Sequence, residues 1–139
     1  MSFLLDTSVA SEPLRKTPDA TVIEWIGRQP IETLFLSAVT LAEVRFGINL
    51  LVPGRRREAL DGWFADVSAA LGDRLLPIDL DVATTWGDLR AKAGTVGRQM
   101  PEMDAFIAAT AQVHGLTVAT RNVRDFEVWG GPVFDPWTR

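Results

Sequence analysis

A chain of 139 residues, 47% hydrophobic and 23% charged, is long enough to bury one core and too apolar to remain disordered. It has no cysteine, which excludes disulfides, thiolate metal sites and a cysteine nucleophile. The net charge of −4 is adverse for a chain that would grip nucleic acid, because phosphate contacts need cations. A role of that kind would require basic residues gathered on the rim of a carboxylate cluster that holds cations.

Taken in chain order, Phe3-Leu4-Leu5 is a short apolar run ending at Asp6 and reads as a buried strand. No basic segment or long apolar run precedes it, so no signal peptide is expected. No stretch approaches the roughly 20 apolar residues of a membrane span, and a soluble, cytoplasmic protein is expected. Val22, Ile23 and Ile26 form a short helical stripe, and Leu34-Phe35-Leu36 reads as a second strand. The stretch from Leu51 to Arg57 reads as a helix-to-helix turn. Leu60, Trp63, Phe64, Val67 and Leu71 then recur at helical spacing. A third strand at Leu75-Leu76-Pro77-Ile78 precedes a helix carrying Val82, Trp86, Leu89 and Ala93, with Asp81 as its expected N-cap. Gly94 to Gly97 reads as a flexible loop. Pro101 is placed to begin another helix, which ends at Gly115, a typical C-terminal glycine. Leu116 to Ala119 is a fourth strand, and Pro132-Val133-Phe134 a last edge strand. Strands alternating with helices imply a parallel sheet covered on both faces. The expected fold is therefore a three-layer α/β/α sandwich, one domain over residues 1–139.

In such a sheet ligands bind beyond the carboxyl ends of the strands, and four acids are placed to reach that edge. Asp6 follows the first strand directly; as an alternative it caps the helix of Thr7-Ser8-Val9. Glu43 lies within Ser37-Ala-Val-Thr-Leu-Ala-Glu43-Val-Arg-Phe-Gly47. Thr40-x-x-Glu43 could be a capping box. Yet at about 100° per residue Glu43 points between Phe46, Gly47 and Leu50 and away from Arg45 and Asn49. An acid on an apolar side is costly without a partner or cation. Asp104 lies in the first turn of the Pro101 helix, where an acid also complements the helix dipole. The small, apolar residues beyond it imply a helix buried on the sheet, with Asp104 presented at the edge. Asp125 and Asn122 follow the fourth strand within Thr120-Arg-Asn-Val-Arg-Asp125, where turn formation is the alternative for each. Hard divalent cations such as magnesium and manganese take oxygen ligands of this kind, and they activate water and stabilise the leaving oxygen of a phosphodiester. The single histidine, His114, precedes the helix-ending glycine and reads as a helix C-terminal residue; a two-histidine ribonuclease mechanism is excluded by count. A receiver-like phosphorelay domain would need a lysine after a late strand, and Lys16 and Lys92 are the only lysines.

Four segments together resemble the PIN domain, and more narrowly the VapC or FitB-type toxins of toxin–antitoxin pairs: Phe3 to Ser8, Ser37 to Gly47, Asp104 to Ala111, and Leu116 to Phe126. They occur in family order and span nearly the whole chain. The resemblance implies a magnesium- or manganese-dependent ribonuclease acting on structured RNA, with Asp6, Glu43 and Asp104 as its central acids. It implies a fourth carboxylate from Asp125, with Asn122 at a place held by aspartate in some relatives. Thr7, Ser8 and Thr120 would be the hydroxyls that steady the acids. It also implies a homodimer and a protein antitoxin that blocks the site. A catalytically silent module that keeps the fold and binds RNA or a partner is the alternative. If RNA is the substrate, the nearest cations in sequence are Arg98, before the Asp104 helix, and Arg121 and Arg124, which flank the fourth acid. The run Arg55-Arg56-Arg57 is also basic, and a solvated surface is its simpler reading.

Overall fold

The computed structural model describes residues 1–138. Five strands, β1 (Phe3–Leu5), β2 (Leu34–Ser37), β3 (Leu75–Leu76), β4 (Thr117–Ala119) and β5 (Val133–Phe134), form one sheet in the order β3-β2-β1-β4-β5. Every pairing is parallel, and β1 lies at the centre with Phe3 level with both Leu34 and Thr117. The helices are α1 (Thr7–Ala10), α2 (Ala20–Arg28), α3 (Ala38–Asn49), α4 (Arg55–Leu71), α5 (Leu80–Thr95) and α6 (Glu102–His114). The expected three-layer α/β/α sandwich is the fold observed.

Strand side chains alternate between the two faces, and each face has its own core. Leu4 and Val118 point to one side, where Val82 and Leu89 of α5, Ile107 and Ala108 of α6, Phe126 and Trp129 cover them. Phe3, Leu5 and Ala119 point to the other, against Val9, Val22, Trp25 and Leu41, with half-buried Phe64 and Val67 of α4 packed on the outside. Leu4, fully buried at the centre of the sheet, contributes about 1.5–3 kcal/mol by the usual worth of such a side chain. Ala105, Ala108, Ala109 and Ala111 of α6 are all fully buried, and side chains this small let the helix lie close to the strands.

Several local features differ from expectation. Helix α5 is capped by Asp79, whose Oδ1 accepts the Val82 N–H at 2.9 Å; Asp81 falls inside the first turn because the helix begins at Leu80. Gly94 lies within α5, and the chain breaks only at Gly97, whose φ of 71° is left-handed. Pro101 stands just outside α6, as its N-cap residue. Ser37, not Thr40, caps α3 by accepting the Val39 N–H at 3.1 Å, so the Thr40–Glu43 capping box does not form. The triple arginine opens α4, where Arg57 donates to the Leu51 carbonyl and ties down the preceding turn, while Arg56 donates to the Leu14 carbonyl, 42 positions upstream. Gly115 ends α6 at φ 66°, as expected. No described helix is long and apolar enough to cross a membrane.

Candidate active site

Connections from β1 run to β2 and β3 on one side, and the chain then crosses back to place β4 and β5 on the other. This reversal opens a crevice at the carboxyl ends of β1 and β4. Asp6 ends β1 there and Thr120 ends β4, and the two side chains meet: Thr120 Oγ1 donates to Asp6 Oδ2 at 2.7 Å. Asp6 does cap α1, accepting the Thr7 N–H on Oδ1 at 2.8 Å, and Ser8 Oγ donates to Oδ2 at 3.2 Å. An ionised carboxylate offers about four acceptor positions. Three are filled on Asp6, which is only 5% exposed, so its geometry is fixed while one lone pair on Oδ1 stays available. Capping of α1 and a free lone pair on Oδ1 therefore coexist in one conformation.

Glu43 enters from α3. Its Oε1 accepts a 2.6 Å hydrogen bond from Thr7 Oγ1, which ties it to the residue after Asp6. Its other oxygen has no hydrogen-bond partner among the described residues. The apolar side on which the sequence places Glu43 is not core, since Phe46 and Leu50 are largely exposed. What holds the side chain is Thr7. Asp104, in the first turn of α6, is half-buried and accepts no hydrogen bond from the described residues. Burial, first, pushes its carboxyl up from 3.8 to about 6, and the charges of Asp6, Asp125 and Glu43 add to the rise. All four acids singled out in the sequence thus act on one point. Asp125 lies exposed in the 3-10 turn Val123–Phe126, anchored by the fully buried Phe126. Asn122 precedes that turn, its N–H bound to Thr120 Oγ1 at 3.0 Å.

No cation among the described residues is ion-paired with these acids. Among the described residues the ion pairs are Arg15–Glu12, Arg28–Glu24, Arg45–Asp61, Arg90–Glu102 and Arg98–Glu127, and none involves Asp6, Glu43, Asp104 or Asp125. Carboxylates gathered without cations, supplying hard oxygen donors only, fit a divalent ion of the magnesium type. Among the described residues no three Asp, Glu or His side chains are drawn closely enough to hold an ion alone.

Residues 3–129 match the PIN domain. The chain belongs to the PIN-domain family. It is 44% identical to the VapC ribonuclease Y4jK of Sinorhizobium fredii over 96% of both chains, and 40% identical to the toxin FitB of Neisseria gonorrhoeae over 96% of this chain and 97% of that one. The crystal structure of FitAcB from Neisseria gonorrhoeae superposes with a TM-score of 0.93, at 40% identity and 99% coverage of each chain.

Arg121 follows Thr120 directly and Arg124 precedes Asp125, at the same end of the sheet. Arg98 pairs with Glu127 at 3.2 Å. Arg124 is exposed and has no charged partner among the described residues. Arg121 sends its N–H to Ser8 Oγ at 3.2 Å, and its guanidinium lies 5.2 Å above the Trp137 ring. Trp137 carried no signal in the sequence beyond being an aromatic near the end of the chain. Thr40, fully buried in α3, leaves its hydroxyl without a partner among the described residues.

Proposed function

We propose that this PIN-domain chain is a divalent-metal-dependent ribonuclease, the toxin of a toxin–antitoxin pair. The observation that carries the reading is the carboxyl of Asp104, half-buried and raised to about 6 by burial and three further acids, with no ion-pair partner among the described residues. Such a group is destabilising unless it serves a ligand of positive charge. The relatives named VapC ribonuclease and toxin FitB support the substrate and the biological setting.

Asp6 and Asp104 would hold the ion, which we take to be magnesium or manganese, and Asp125 a second one if two are used. A bound ion of this kind supplies a more acidic water and a positive charge against the phosphodiester. The protein's own groups do the positioning. Thr120, Ser8 and the Thr7 N–H fix the Asp6 carboxylate. Thr7 holds one oxygen of Glu43, which keeps the other for orienting the attacking water. That water's oxygen bonds to phosphorus as the phosphorus–oxygen ester bond breaks, and its proton is lost while the leaving oxygen gains one. Arg98, Arg121 and Arg124 would meet the RNA backbone. In keeping with the family, the chain would work as a homodimer in the cytoplasm, silenced by an antitoxin that occupies the acidic crevice. Incubation of total RNA with purified protein tests this. Cleavage should require magnesium or manganese, stop with chelator, and fall by at least about a hundredfold in Asp6→Asn, the usual scale for removing a metal-site contact. Cleavage that persists in chelator would sink the metal-dependent reading.

A further inference from the structure

Among the described residues three arginines lie over aromatic rings: Arg45 over Phe64, Arg90 over Trp86 and Arg121 over Trp137. The first two are also paired with carboxylates, Asp61 and Glu102, so their charges are used within the fold. Arg121 differs. Its side chain makes neither an ion pair nor a hydrogen bond with the described residues, although it is exposed at the rim of an acidic crevice. Its backbone is two hydrogen bonds from the first acid, because the Arg121 N–H binds Ser8 Oγ and Ser8 Oγ binds Asp6 Oδ2, each at 3.2 Å.

The ring beneath it is firmly placed. The Trp137 backbone N–H binds Asp135 Oδ1 at 2.8 Å across the buried Pro136. The indole packs against the edge of the second core. The arginine thus lies over an aromatic ring without spending any of its five N–H donors on the described residues. A planar guanidinium with its donors free matches the two-oxygen geometry of a phosphate.

We propose that Trp137 is a positioning residue, which holds the Arg121 guanidinium at the rim of the crevice as a phosphate contact for the RNA substrate. The inference rests on the ribonuclease reading. It requires the two residues to act as one unit, so a double-mutant cycle on RNA affinity decides it.

Binding is read by the anisotropy of end-labelled transfer RNA, at low salt and in chelator so that nothing is cleaved. Trp137→Leu keeps apolar bulk but removes the ring face. It should weaken binding roughly two- to fivefold, the usual worth of an exposed cation–π contact, and Trp137→Phe should restore most of the loss. In an Arg121→Ala background the same tryptophan change should do nothing further. Arg121→Lys leaves the core untouched, keeps the charge and loses the flat fork, so it too should weaken binding roughly two- to fivefold. An equal loss from Trp137→Leu with and without Arg121 overturns the proposal, as does wild-type affinity in Arg121→Lys. Those results would leave the ribonuclease reading standing. Wild-type protein with no measurable affinity for RNA in chelator and no cleavage of RNA in magnesium would remove both.

Discussion

At the scale of single residues, the site turns on carboxylates that the fold keeps in an unfavourable state. Asp104 titrates near 6 in the folded chain, against 3.8 when free, because of burial first and then of Asp6, Asp125 and Glu43. Between those two values the folded chain binds more protons than the unfolded chain. Stability therefore falls as pH rises from about 4 to about 6, and the loss remains in full above that window. Asp104→Asn removes it. With metal chelated at neutral pH, the variant should be more stable than wild type by about 1–2 kcal/mol, a figure already reduced for the solvent that reaches a half-buried group. The gain should vanish below about pH 4. Thermal melts at several pH values measure it, and a variant that is less stable throughout would mean that the carboxylate is not under this strain. Glu43→Gln separates function from structure in another way. Because Ser37 caps α3, losing the Glu43 charge should leave the melting temperature nearly unchanged while RNA cleavage is abolished. A stability loss of about 1 kcal/mol, the usual cost of a lost cap, with cleavage intact would return Glu43 to a structural role.

At the scale of elements, the choice of cap shows what can be read from a sequence and what cannot. The strands, the order of helices and the terminal glycine of α6 follow from apolar runs, helical spacing and the special freedom of glycine. So do the positions of Asp6 and Asp104, since an acid after a central strand or at the start of a buried helix has few other places to go. The α5 cap was not legible to one residue, because Asp79 and Asp81 both precede the same apolar stripe and only the backbone conformation at position 79 decides between them. Asp79→Ala should cost about 1 kcal/mol, and Asp81→Ala only a few tenths; equal losses in chemical denaturation would show that the cap is not the source. The Thr7–Glu43 bond was hidden for a different reason. It joins residues 36 positions apart, and no local pattern encodes such a pair. The stacking of Arg121 on Trp137 was equally out of reach, since it depends on β5 running parallel to β4 and returning the end of the chain to the crevice.

At the scale of the whole molecule, an acidic chain is asked to hold an acidic polymer. The net charge of −4 and four acids without ion-pair partners among the described residues should repel RNA whenever the metal is absent. This gives Asp104→Asn opposite effects under two conditions. In chelator, removing one negative charge from the crevice should raise RNA affinity by about two- to fivefold, the worth of one unit charge near a phosphate across water, and the gain should shrink as salt screens it. Lowering the pH through about 6 should raise wild-type affinity in the same way, because Asp104 then gains its proton, and should do less to the variant. With magnesium at matched ionic strength the order should reverse. Wild type would gain affinity from the ion that its carboxylates retain, and Asp104→Asn would gain little. Anisotropy titrations of labelled transfer RNA, run in chelator and in magnesium for both proteins, give the four affinities required. If the variant bound more weakly than wild type in chelator, the Asp104 carboxylate would be contacting RNA directly and not repelling it. If magnesium strengthened both proteins equally, Asp104 would not help to hold the ion.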